Sequence, residues 1–158
     1  MPKSIFAAND GVHGTELWVT DGSNAGTSLL SDIAPGLADS NPKLFTALGN
    51  GTVLFQVNDG SHGNELWLTD GTALGTKLLK DISPGLGSSN LSNLTAIGNN
   101  LAIFQANDNS HGAELWVTNG TTAGTTMLKD ISTFVKDVSS GSSNPTNITS
   151  LGNGTASK

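Results

Sequence analysis

The tripeptide Glu-Leu-Trp occurs three times, at 16–18, 65–67 and 114–116, and the three tryptophans stand 49 residues apart. A fixed period of that length marks stacked structural units, each too small to bury its own apolar face. The flanking residues keep the same register. Phe6, Phe55 and Phe104 align, as do His13, His62 and His111, and Asp32, Asp81 and Asp130. The 158 residues therefore read as a single repeat domain, 1–158, with units at about 5–53, 54–102 and 103–155. The third unit is longer, with an insertion around Thr133–Ser140.

Within a unit, short apolar runs alternate with turn residues. The middle unit has runs at Leu44–Leu48, Val53–Val57, Glu65–Thr69 and Lys77–Ile82. Asn50-Gly51 joins the first two, a pair suited to a two-residue type I′ hairpin; Asn99-Asn100 and Asn153-Gly154 take the same place later. The next two links are also short enough for hairpins. A longer Pro/Gly/Ser segment, Ser83–Ser92, leads to the next unit. Twenty glycines and no amphipathic helical stretch agree with many strands and tight turns. The expected fold is all-β: a β-propeller of four-stranded antiparallel blades, three blades per chain. A β-trefoil, also threefold, is the alternative.

The sequence opens on the second run of a unit and closes just after a first run, Asn147–Leu151. One blade is thus split between the termini. Three blades are too few for a ring, since propellers have roughly four to eight. A homodimer, each C-terminal strand completing the other chain's first blade, gives a six-bladed ring without exposed strand edges.

Charge excludes some partners. Seven basic residues stand against 13 acidic ones, for a net charge of −6. That leaves no basic footprint for nucleic-acid phosphates. No apolar run approaches the roughly 20 residues needed for membrane insertion as a helix. Cysteine is absent, so neither disulfides nor thiolate chemistry enter, and the compartment is left unknown.

The stretches Glu-Leu-Trp-Val-Thr-Asp-Gly (16–22), Glu-Leu-Trp-Leu-Thr-Asp-Gly-Thr (65–72) and Glu-Leu-Trp-Val-Thr-Asn-Gly-Thr (114–121) resemble the bacterial ELWxxDGT repeat family. Ser23 and Asn119 depart from its pattern. The resemblance covers nearly the whole chain. It implies propeller arrays and an extracellular or cell-surface location, and it implies no established activity.

Candidate residues recur once per unit. Trp18, Trp67 and Trp116, with Phe6, Phe55 and Phe104, are expected to pack between neighbouring blades; stacking of a tryptophan on a sugar ring is the alternative. Leu17 and Val19 should face away from Glu16 and Trp18. His13, His62 and His111 sit in the turn after the second run. There they either bond the backbone of their own turn or contact a ligand; a shared metal would need them closer together than outer turns of a ring lie. Asn9-Asp10, Asn58-Asp59 and Asn107-Asp108 suit Asx-turns. Calcium at these pairs would need about 6–8 oxygens, where each turn offers two or three side chains. Asp32, Asp81 and Asp130 are placed to cap the crossing to the next unit. Glu16, Glu65 and Glu114, if buried, need backbone amides or Lys80 and Lys129 as partners.

No catalytic constellation is visible: no G-x-S-x-G, no H-E-x-x-H and no phosphate loop. No cofactor is expected. The sequence reads as a non-catalytic structural scaffold whose partner is itself. The alternative is a multivalent, lectin-like carbohydrate-binding module that presents its polar loops, one shallow site per unit, to glycans.

Overall fold

The computed structural model describes residues 2–132 and 141–151. The described residues form 11 strands and no helix. They are β1 (Ser4–Asn9), β2 (Thr15–Thr20), β3 (Ser28–Ser31), β4 (Lys43–Ala47), β5 (Val53–Asn58), β6 (Asn64–Thr69), β7 (Lys77–Lys80), β8 (Ser92–Gly98), β9 (Leu101–Asn107), β10 (Ala113–Thr118) and β11 (Thr126–Lys129). They make three antiparallel sheets, ordered β1-β2-β3, β4-β5-β6-β7 and β8-β9-β10-β11. Each sheet is a meander, because every link within it is a short turn. The insertion at 133–140 and the turn at Asn153-Gly154 lie outside the described residues.

Alternation along the strands decides the packing. In the second sheet, Leu54, Leu66, Leu68 and Leu79 join one buried cluster with Ala102, Phe104, Ala106 and Trp116 of the third sheet. Phe55 and Val57 point the other way and pack on Leu17, Val19 and Leu30 of the first, with Trp67 against the same cluster. The middle sheet is therefore apolar on both faces and stacked between its two neighbours. A four-stranded meander with two apolar faces cannot be stable alone, so the stacking is what the repeated sequence requires.

Phenylalanine and tryptophan face each other across the two central strands. Phe6↔Trp18, Phe55↔Trp67 and Phe104↔Trp116 are register partners, with ring centroids 6.5, 6.5 and 6.4 Å apart. Such pairs add to sheet stability beyond the area they bury. Trp67 and Trp116 lie between sheets as expected, and Leu17 and Val19 are buried on the face opposite Trp18.

Two features differ from the turn chemistry expected. Asn99 and Asn100 both have positive φ, as a type I′ turn between β8 and β9 demands. At the equivalent link, Gly49 and Gly51 are positive and Asn50 is not. There the Asn50 side chain accepts from the amide and hydroxyl of Thr52, and the loop spans the five residues from β4 to β5. Second, Asn147–Leu151, the expected further first strand, has no strand partner among the described residues.

Candidate functional site

The loops at one end of the sheets carry most of the polar side chains singled out from the sequence. Their geometry is nearly the same in each unit. Asn9, Asn58 and Asn107 each accept, through Oδ1, the amide two residues on, at 2.7 Å. Asp10 Oδ1 accepts the amides of Val12 and His13 at 2.8 Å, and Asp59 and Asp108 do the same for Ser61 and His62, and for Ser110 and His111. These are the expected Asx-turns.

The imidazole partner is a side chain rather than the backbone. Nδ1 of His13, His62 and His111 lies 2.7, 2.7 and 2.8 Å from Oδ2 of Asp10, Asp59 and Asp108. Both oxygens of each aspartate are thus engaged within the turn. Among the described residues, no group of three or more His, Cys, Asp and Glu comes together around one point.

This pairing shifts both partners. The hydrogen bond from His13, helped by the two amides, holds the Asp10 carboxyl down at about 2. At Asp59 and Asp108 burial pushes upward most strongly, but the histidine and amide hydrogen bonds outweigh it and the carboxyls stay low. All three histidines are raised above 6.5, first by the aspartate hydrogen bond. A histidine raised on folding adds stability that is fully present below 6.5 and disappears as pH climbs through the raised value; a lowered aspartate adds stability that fades as pH falls through its depressed value. The turns are therefore best held between roughly pH 4 and 6.5. A proton NMR titration is expected to place all three imidazole midpoints above 6.5, and Asp59→Asn should return His62 alone to the ordinary range.

Below these turns lies a set of contacts around the repeated glutamate. Glu16, Glu65 and Glu114 are fully buried. Glu65 Oε2 accepts the amide of Ile82 at 2.8 Å, and Oε1 accepts those of Ser83 and Ser89 at 3.2 and 2.9 Å. Glu16 takes the amides of Ile33, Ala34 and Ser40, and the Ser40 hydroxyl at 2.6 Å. Glu114 takes those of Ile131 and Ser143, with the Ser143 hydroxyl at 2.6 Å. A carboxylate on the strand that follows each Asx-turn (β2, β6 and β10) thus ties together both ends of the crossing segment. Its donors are backbone amides and a serine, and none of the described lysines reaches it. Burial dominates at Glu65 and pushes its carboxyl up to about 7. At Glu114 burial is also the largest single influence, yet the hydrogen bonds from Ser143 and the crossing amides together outweigh it and leave the group low.

The crossing aspartates behave as caps on one side only. Oδ2 of Asp32 and Asp81 accepts the amides of Gly36 and Gly85 at 3.5 and 3.3 Å. Oδ1 of Asp32, Asp81 and Asp130 and Nε1 of the three tryptophans are buried without a hydrogen bond among the described residues. The serines of the crossing are largely consumed as well: Ser88 accepts the amide of Asn64, and Ser89 is fully buried.

That Ser40, Ser89 and Ser143 are donors to the buried glutamate is not read from the sequence, where Ser89 goes with Ser88 and Asn90 as part of the polar loop face. They align once the third unit's longer crossing is allowed for, and that alignment was the available signal. The sequence reading also missed the chemistry of the Asp-Gly-Thr turn. Asp70 Oδ1 accepts both the amide and the hydroxyl of Thr72, whose hydroxyl oxygen in turn accepts from the amide of Gly75. Asp21 with Ser23, and Asn119 with Thr121, repeat the arrangement, which explains why the two departures from the motif are tolerated.

The fold and these loops define an all-β protein of three consecutive antiparallel sheets with the same internal hydrogen-bond machinery in each. No family model, curated protein or solved structure matches the chain.

Proposed function

We propose that the chain is a non-catalytic structural scaffold, its three sheets being consecutive blades of a β-propeller that closes by self-association. The observation that carries this reading is the glutamate clamp. The most buried acidic groups of the loop face all bind their own backbone, three times over, and catalytic sites do not normally recur unchanged in every unit. Sheets stacked face to face in chain order are the arrangement a propeller uses. The resemblance to ELWxxDGT repeats points the same way and suggests a surface or extracellular setting.

Light scattering across a concentration series tests the closure. A mass of twice 16.1 kDa is expected; a single-chain mass at every concentration contradicts it and favours a trefoil-like closure within one chain.

A second reading, multivalent carbohydrate binding, is favoured by one observation. The histidine side chains remain 37, 39 and 48% exposed while their Nδ1 atoms are held by aspartate. Each unit thus presents a fixed imidazole edge. A glycan array with no hits at millimolar sensitivity would leave the scaffold reading alone.

A further inference from the structure

The same residues have different surroundings in the three sheets, and the differences fall at the two ends of the stack. Phe55 and Phe104 are fully buried, but Phe6 is not. Leu79 and Ile82 are 4% and 3% exposed, whereas the equivalent Leu128 and Ile131 are 56% and 52% exposed. Ile103, Leu115 and Val117 are likewise only half-buried where Leu54, Leu66 and Leu68 are buried. The outer face of the third sheet is thus the face that, on the second sheet, receives a Phe–Trp pair. The outer face of the first sheet presents such a pair, Phe6 and Trp18. The two faces are complementary by repetition.

The strand edges tell the same story. The first sheet has three strands, and β1 has no outer partner among the described residues. Beside it lies a cavity of about 440 Å³, lined by Ser4 and Ile5 on one side and by Phe45 and Ala47 of β4 on the other. In the other sheets this position beside the next unit's first strand is filled. Thr46 of β4 donates its hydroxyl to the carbonyl of Leu94 in β8, at 3.2 Å, and Thr95 of β8 donates to the carbonyl of Ile148, at 3.5 Å.

The segment around Ile148 already has the required backbone. Asn144 and Asn147 have φ of 45° and 55°, matching Asn41 and Leu44 at 51° and 61° and Asn90 and Asn93 at 49° and 55°. It repeats the backbone of β4 and β8 at these positions, lies against β8 through Thr95, and belongs to none of the three sheets of the described residues.

We infer that residues 146–150 of a second copy of this chain fill the cavity beside β1 and complete its sheet, reciprocally, in the register that β4 uses on β5. This rests on the scaffold reading above and specifies its interface. In the second sheet Lys43, Thr46 and Ala47 lie opposite Gln56, Leu54 and Val53. The equivalent pairs are Thr146 with Ala7, Thr149 with Ile5, and Ser150 with Ser4. The Thr149 hydroxyl then donates to the carbonyl of Phe45, and the exposed Phe45 ring becomes covered.

Ser4 and Ser150 provide the test. Leu48 donates its amide to Thr52, so the adjacent pair Ala47↔Val53 is a non-hydrogen-bonded pair, the closer kind in an antiparallel ladder. Its counterpart, Ser4 with Ser150, is within disulfide geometry. Both serines are exposed, and the chain has no native cysteine. Ser4→Cys/Ser150→Cys is expected to oxidise to a covalent two-chain species, reversed by reductant, for more than half of the protein. Ser4→Cys/Thr149→Cys places the two sulfurs on opposite faces of the sheet and is expected to link at least tenfold more slowly. Circular dichroism of the reduced variants confirms that they fold. A disulfide within one chain, a ladder of higher multimers, or equal linking by both variants overturns the inference. Doubled mass for the wild type without Ser4–Ser150 linking overturns it too and leaves the propeller scaffold standing; a single-chain mass removes both.

Discussion

Replacing Glu65 by alanine is expected to lower stability by about 3–5 kcal/mol. The carboxylate accepts the amides of Ile82, Ser83 and Ser89, and the residue is fully buried. Each buried amide that loses its acceptor costs about 1–3 kcal/mol, partly relieved where water can enter the space left. The substitution also releases the crossing segment, which begins at Ile82 and is tied back at Ser89, so the third strand of one sheet no longer holds the start of the next. Glu65→Gln keeps the shape but turns a donor toward the amides, and a smaller loss of about 1–3 kcal/mol is expected. Urea unfolding at one fixed protein concentration measures both, since self-association would otherwise move the midpoint. A loss below about 1 kcal/mol for the alanine variant would show that the clamp contributes little.

Gly63→Ala is expected to cost about 3 kcal/mol or more, against about 1–2 kcal/mol for Gly60→Ala in the same turn. Both glycines have positive φ, at 67° and 80°. A methyl group at Gly60 meets open space, so only the left-handed backbone is penalised. At Gly63 the methyl group runs into the carbonyl of Gly87 in the crossing segment. That is backbone against backbone, and neither side can swing away. The difference between the two variants isolates the close approach between turn and crossing. Gly14 and Gly112 meet the carbonyls of Ala38 and Gly141 in the same way, which is why a His-Gly pair recurs in every unit. Equal losses at 60 and 63 would mean that the crossing yields easily.

Much of the architecture was legible in the residues themselves. The 49-residue spacing of Trp18, Trp67 and Trp116, the period-two apolar runs and the turn residues between them are local signals, and they place the four strands of the middle sheet to within two residues, whereas the further strand expected at Asn147–Leu151 does not form among the described residues. The Asx role of Asn58 and Asp59 was legible for the same reason: an Asx-turn closes within two or three residues. Asn50-Gly51 was misread because its turn is set by the five-residue loop and by the Asn50–Thr52 contact, not by the dipeptide alone.

The partners of Glu65 were not legible. Its donors stand 17 and 24 residues away, in a segment whose path depends on how two sheets are placed. The sequence offered Lys80 as an equal candidate, and only the fold shows that the crossing amides arrive first. The same holds for His62, whose carboxylate partner is three residues away but is chosen by the conformation of the turn.

Sequence by itself determined that this chain is a set of like units built of short strands, because periodicity, glycine placement and turn chemistry act within a few residues. The tertiary structure alone decided which of those like residues are buried. Phe6, Phe55 and Phe104 occupy one position of one repeat, yet only the latter two are closed off from solvent. Burial is a property of the neighbouring sheet rather than of the residue, and the two outermost faces of this stack lack that neighbour within the described chain.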